Sequence, residues 1–132
     1  MQSVIQEKLY DSVRIFWLNK QLVRNRLKEA IRSLVRVRPD IEKIVLFGSF
    51  AEGRAAVGSD IDLLIIVKEC GKRFMDRALE YQEFFSDIGL GVDIFVFTKE
   101  ELKQDVKIAR SAMEHGRILY ERRSGNSSEQ SS

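Results

Sequence analysis

Cysteine, histidine and proline each occur once in this chain of 132 residues. The single cysteine, Cys70, excludes an intrachain disulfide and suits a reducing compartment. With no Cys or His cluster, the donor set of a zinc site is missing. Nor is there an apolar run long enough to span a bilayer, or a signal-peptide core near the start, so the cytoplasm is the expected location and no membrane partner is expected. An excess of one charge is lacking too. Twenty-two Lys and Arg against twenty Asp and Glu leave a net charge of +2, which does not by itself imply nucleic-acid binding. The basic residues are nevertheless uneven: Arg14, Lys20, Arg24, Arg26, Lys28, Arg32, Arg36 and Arg38 all fall in the first third. Such a run is either a solvated helix face or a positive surface for an acidic partner or polyphosphate.

Glycine and proline are both absent from Ser3 to Val37. Within that stretch Leu9, Val13 and Phe16, then Val23, Leu27, Ala30 and Leu34, recur three or four apart, the period of a helix. The reading is two helices, or one with a weak point, with Asn19 placed to cap the second. Apolar residues at the front (Val4, Ile5, Phe16, Trp17) either pack within the monomer or leave surface for a partner or a second copy of the chain. Pro39 ends this region. Ile41–Phe47 and Ile61–Val67 read as buried strands, and Val92–Phe97 as a third. A glycine-punctuated loop, Gly48 to Ser59, joins the first two. An amphipathic helix is expected over 72–88. Thr98 and Glu101 form a capping-box pattern opening a helix to about Glu114, stopped by Gly116, before a short strand over 117–121. The fold class is therefore α+β: a mixed sheet of three or four strands covered by helices. The organisation is a helical segment over 1–38, a core over 39–121 and a disordered polar tail over 122–132.

Acids interrupt these apolar strands at particular places. Asp60 and Asp62 flank Ile61, and the period of two in a strand turns both carboxylates to one face. Asp93 interrupts the third strand in the same way. Neither acid-bearing strand contains Lys or Arg, and buried carboxylates are costly unless paired or bound to a metal. Oxygen donors alone favour Mg²⁺ or Mn²⁺. Two such ions, roughly 3.5–4 Å apart, would clamp the attacking and leaving oxygens of a displacement at phosphorus. Gly48-Ser49 follows the first strand, where backbone N–H groups and a hydroxyl can hold phosphate oxygens.

The stretch LFGSFAEGRAAVGSDIDLLIIV, with ten residues between Gly48-Ser49 and Asp60-Ile61-Asp62, and with Asp93 in GVDIFVF, resembles the DNA polymerase β-like nucleotidyltransferase superfamily. The short chain is similar to its minimal nucleotidyltransferases, which act as antitoxins beside HEPN-type proteins. The resemblance implies Mg²⁺-dependent transfer of a nucleoside monophosphate, AMP from ATP, to an acceptor hydroxyl such as a HEPN tyrosine. It implies Asp60, Asp62 and Asp93 as metal ligands and catalytic residues. It also implies Gly48 and Ser49 as phosphate contacts, with Arg54 and Ser59 beside them. One departure is Glu52, an acid where relatives commonly carry a base, with Arg54 two residues on as its substitute. Two other readings stay open: a module that neutralises its partner by contact, and a transferase acting on a small molecule.

Overall fold

The computed structural model describes residues 2–123. The expected disordered tail lies outside these residues from 124 on. Its first residue belongs to the fold, however: Arg122 N–H donates to Glu42 O (2.8 Å) and its guanidinium to Pro39 O (2.8 Å).

The largest correction is at the front. Ile5–Tyr10 (β1) and Val13–Leu18 (β2) are not helical; they form an antiparallel hairpin, in register from Ile5 opposite Leu18 to Tyr10 opposite Val13. The cause is local. VRIFWL is rich in β-branched and aromatic residues, which fit a pleated surface, and IQEKLY carries Ile5 and Tyr10 at its two ends. Asp11 and Ser12 between them take φ of 46° and 71°, the positive values that a tight two-residue hairpin turn requires. Of the four front residues, Phe16 and Trp17 are exposed on this ribbon together with Leu9, Tyr10 and Val13, whereas Val4 is buried in the core and Ile5 packs against it.

Helix begins only at Lys20–Val37 (α1). Asn19 caps it as expected, its side chain accepting the Leu22 N–H at 3.1 Å. Its N–H also donates to Val4 O (2.7 Å), which fastens the hairpin to the helix start. Val23, Leu27, Ile31 and Leu34 form the buried stripe.

Four strands make the main sheet: Ile41–Phe47 (β3), Ile61–Val67 (β4), Val92–Thr98 (β5) and Arg117–Glu121 (β6), in the order β5-β4-β3-β6. β3 runs antiparallel to both β4 and β6, while β4 and β5 are parallel, so the sheet is mixed. Alternation in β4 divides the core. Ile61, Leu63, Ile65 and Val67 join the cluster under α1, and Leu64 and Ile66 face the opposite way with Val45 and Phe97.

The helix expected over 72–88 exists as short pieces, Phe74–Arg77 (α2), Leu79–Gln82 (α3) and a 3-10 turn over Glu83–Phe85. Backbone at the joints Ala78 and Gln82 stays helical. Tyr81, Phe85 and Ile88 are buried, whereas Met75 and Leu79 face outward. The capping box at Thr98 and Glu101 forms in both directions (2.9 and 3.1 Å). It opens only a 3-10 turn, Glu101–Lys103, and the helix proper is Lys107–His115 (α4). α4 supplies Ala109 and Ala112 to the second face of the sheet. Gly116 ends it as expected, and for a steric reason. A Cβ there would lie 2.4 Å from Ala112 O and 2.6 Å from Leu46 O.

Candidate active site

The strand ends bring the acids together. In the parallel pairing of β4 and β5, Asp62 stands opposite Asp93, and across β3 it stands opposite Phe47. Paired residues share a face, so the carboxylates of Asp62 and Asp93 lie on the α4 side of the sheet, beyond α4 itself. Asp60 precedes β4 by one residue and shares that side by the period of two. Asp60 and Asp93 are exposed and Asp62 is half-buried. Burial, then the negative charges of Asp93 and Asp60, hold the Asp62 carboxyl above its ordinary range. No lysine or arginine figures among the influences on it, so this negative charge is not offset from within.

Two glycines make room for these acids. Gly48 follows β3 with φ of +78°, and a Cβ there would fall 2.2 Å from Asp62 Oδ2. Gly91 precedes β5, and a Cβ on it would fall 2.7 Å from Asp60 Oδ1. Gly91 O also accepts the Ile61 N–H at 2.8 Å, which fixes the start of β4 between the two acids. Gly91 was not singled out for this role from the sequence. Its signal is a glycine two residues before the third acid. Phe47 and Phe95, with ring centroids 5.8 Å apart, add an apolar flank on the same side.

After Gly48 the chain turns tightly rather than forming a helix. Gly48 O accepts from Glu52 N–H (3.1 Å) and Ser49 O from Arg54 N–H (2.9 Å). Buried Phe50, Ala51 and Ala55 pin the loop to the core. Ser49 is half-buried at the strand end, beside Gly48 and hence near Asp62. The other two candidates have partners within the loop. Arg54 is exposed and pairs with Glu52 at 2.8 Å, so it neutralises the loop's unusual acid. The Ser59 hydroxyl accepts the Ala56 N–H at 3.0 Å and closes the loop on itself.

Among the described residues, no three His, Cys, Asp or Glu side chains are already gathered into an ion cage. The donor chemistry still fits a hard divalent cation: three carboxylates at adjoining strand ends, with charge uncompensated at Asp62. In this mixed sheet one strand runs out into Gly-Ser, the next opens on Asp-X-Asp and a third opens on a facing Asp.

The chain belongs to the family described as polymerase beta, nucleotidyltransferase, whose model matches residues 29–125. It is a nucleotidyltransferase. Two proteins of Methanocaldococcus jannaschii named as protein adenylyltransferases are related to it. One is 38% identical over 61 residues, 46% of this chain and 42% of the relative, so the chain spans less than half of that protein's length. The other is 31% identical over 98 residues, 71% of this chain and 94% of the relative. Solved structures share the fold. A nucleotidyltransferase from Sulfolobus solfataricus superposes with a TM-score of 0.60 at 24% identity, covering 78% of this chain and 84% of that one. A chain of a toxin–antitoxin complex with AMP-PNP gives 0.57 at 22% identity, covering 73% and 74%.

Proposed function

We propose that the chain transfers AMP from ATP to a hydroxyl of a partner protein, in the manner of an antitoxin acting on a tyrosine of a HEPN-type toxin. The observation that carries this reading is the register of β4 and β5, which sets Asp62 against Asp93 within reach of the Gly48-Ser49 turn. The M. jannaschii relatives' names and the fold shared with an antitoxin-containing complex support it.

Each residue has a role in this reading. Backbone at Gly48 and the Ser49 hydroxyl hold the outer phosphates of ATP, since only a glycine lets the chain approach so closely beside Asp62. Asp60 and Asp62 would hold two Mg²⁺ ions between them, and Asp93 the one nearer the acceptor. When bound, these ions supply charge neutralisation to the attacking and leaving oxygens. The acceptor oxygen forms a bond to the α-phosphorus, the bond from that phosphorus to the bridging oxygen breaks, and pyrophosphate leaves. Asp93, the more exposed member of the facing pair, takes the acceptor's proton. A reducing, ATP-containing cytoplasm suits this chemistry and the lone Cys70.

The test uses ATP labelled at the α-phosphate, Mg²⁺ and a HEPN-type partner in complex with the full chain. Label should pass to the partner from α-labelled and not from γ-labelled ATP. A stable complex in which the partner stays unlabelled would refute transfer to protein.

A further inference from the structure

The basic residues of α1 take no part in the site above, yet their arrangement is not that of an ordinary solvated face. Lys20, Arg24, Lys28, Arg32 and Arg36 recur every four residues, so they stack in one row along the helix. Like charges at this spacing work against the helix. Among the described residues only Arg32 in the row meets a carboxylate, that of Glu29 at 2.6 Å. Arg36, in the last turn, is favoured by the helix dipole, whereas Lys20, Arg24 and Lys28 have no charged partner among the described residues.

Arg24, Lys28 and Arg32 of this row form one rim of a groove of about 650 Å³ between α1 and β6, and Arg117 on β6 stands on the other side. The groove is lined as well by Leu27, Ile31 and Leu46 from the core and by Ile118, which is 53% exposed on the edge strand. No acidic side chain lines it. Because Arg117 lies opposite Leu46, the groove starts two residues before Gly48 and runs from the catalytic end of the sheet.

We infer that this groove is a docking site for an acidic amphipathic segment of a partner protein. Its charges require an acidic occupant, and its apolar lining requires one with an apolar face. That second requirement separates protein from RNA. Single-stranded RNA is held by aromatic platforms beneath its bases, and Tyr120, half-buried, is the one aromatic side chain here. Docking of this kind is independent of AMP transfer. It holds equally for a partner that is bound and not modified.

The experiment measures binding of fluorescent synthetic helices to the full chain by anisotropy. The probes are an amphipathic helix with glutamate on one face and leucine on the other, the same helix with lysine for glutamate, and an oligoadenylate RNA. The glutamate helix should bind best and weaken with salt. The triple variant Arg24→Glu/Lys28→Glu/Arg117→Glu should bind it at least about tenfold more weakly and should gain affinity for the lysine helix. Ile118→Ser, a milder change, should weaken the glutamate helix without altering its salt dependence. ATP binding by calorimetry should be unchanged in both variants, which keeps this test apart from that of the active site. Equal binding by wild type and triple variant, absence of binding to the glutamate helix, or preference for the RNA would each overturn the inference.

Discussion

Gly48 leaves the space that the Asp62 carboxylate fills: a Cβ on residue 48 would lie 2.2 Å from Asp62 Oδ2. The end of one strand is therefore shaped around the acid of the next. Gly48→Ala should displace Asp62 and also strain the backbone, whose φ of +78° costs a residue with a Cβ about 1–2 kcal/mol. The expected result is a lower melting temperature together with a loss of Mg²⁺-dependent ATP binding, read by calorimetry. A Gly48→Ala protein that binds ATP normally would show that this contact is dispensable.

Asp62 itself should trade stability for chemistry. Its carboxyl is held above the ordinary range in the fold by burial first, then by Asp93 and Asp60. A carboxyl raised on folding weakens the folded state as pH climbs through the window between its unfolded and folded values. Below that window the acid is protonated in both states and the penalty vanishes. In the absence of divalent ions, Asp62→Asn should melt higher than wild type at neutral pH, and the two should converge in acid. Transfer activity should fall by about a hundredfold or more, as for loss of an essential electrostatic group. Addition of Mg²⁺ should stabilise the wild type and leave the variant unmoved.

Arg77 and Glu101 show the opposite sign. Arg77 is buried and donates to both Glu101 oxygens (2.7 and 2.9 Å) and to the carbonyls of Lys72 and Val96. Hydrogen bonding from Arg77 lowers the Glu101 carboxyl to about 2. Its stabilisation is present above the usual glutamate value of 4.5 and is lost as pH falls towards 2. Glu101→Gln should flatten the acid branch of a stability-against-pH curve over that range. Arg77→Ala should cost about 2 kcal/mol, less than a fully buried pair because Glu101 is partly exposed to screening solvent. Urea unfolding at several pH values checks both.

Asn19 joins two elements at once, as the cap of α1 and as the residue whose N–H meets Val4 O. Asn19→Ala removes only the side-chain half and should cost about 1 kcal/mol. Hydrogen exchange should show faster opening of the first turn of α1, with the main sheet unaffected.

The sheet strands and the acids were legible because they depend on short-range rules. IDLLIIV can hardly be other than a buried strand, and alternation alone places Asp60 and Asp62 on one side of it. The meeting of Asp62 with Asp93 was not readable from spacing, because it depends on the parallel register of strands 31 residues apart in numbering. The family pattern supplied that link. The hairpin was misread for a definite reason. Leu9, Val13 and Phe16 imitate helical spacing, and the turn uses Asp11-Ser12 in place of the glycine that marks such turns. The pairing of Arg54 with Glu52 is a contact between near neighbours that composition does not reveal.

The hairpin lies ahead of residues 29–125, the part shared with the family. The hydrophobic interior does not respect that boundary. Val4 and Leu18 from the ribbon, with Val23 and Leu27 from α1, belong to the same packed cluster as Leu63 and Ile94. A fragment trimmed to residues 29–125 would begin in mid-helix with that cluster opened to water. For this molecule the stretch that the family model matches is shorter than the stretch that builds the packed interior.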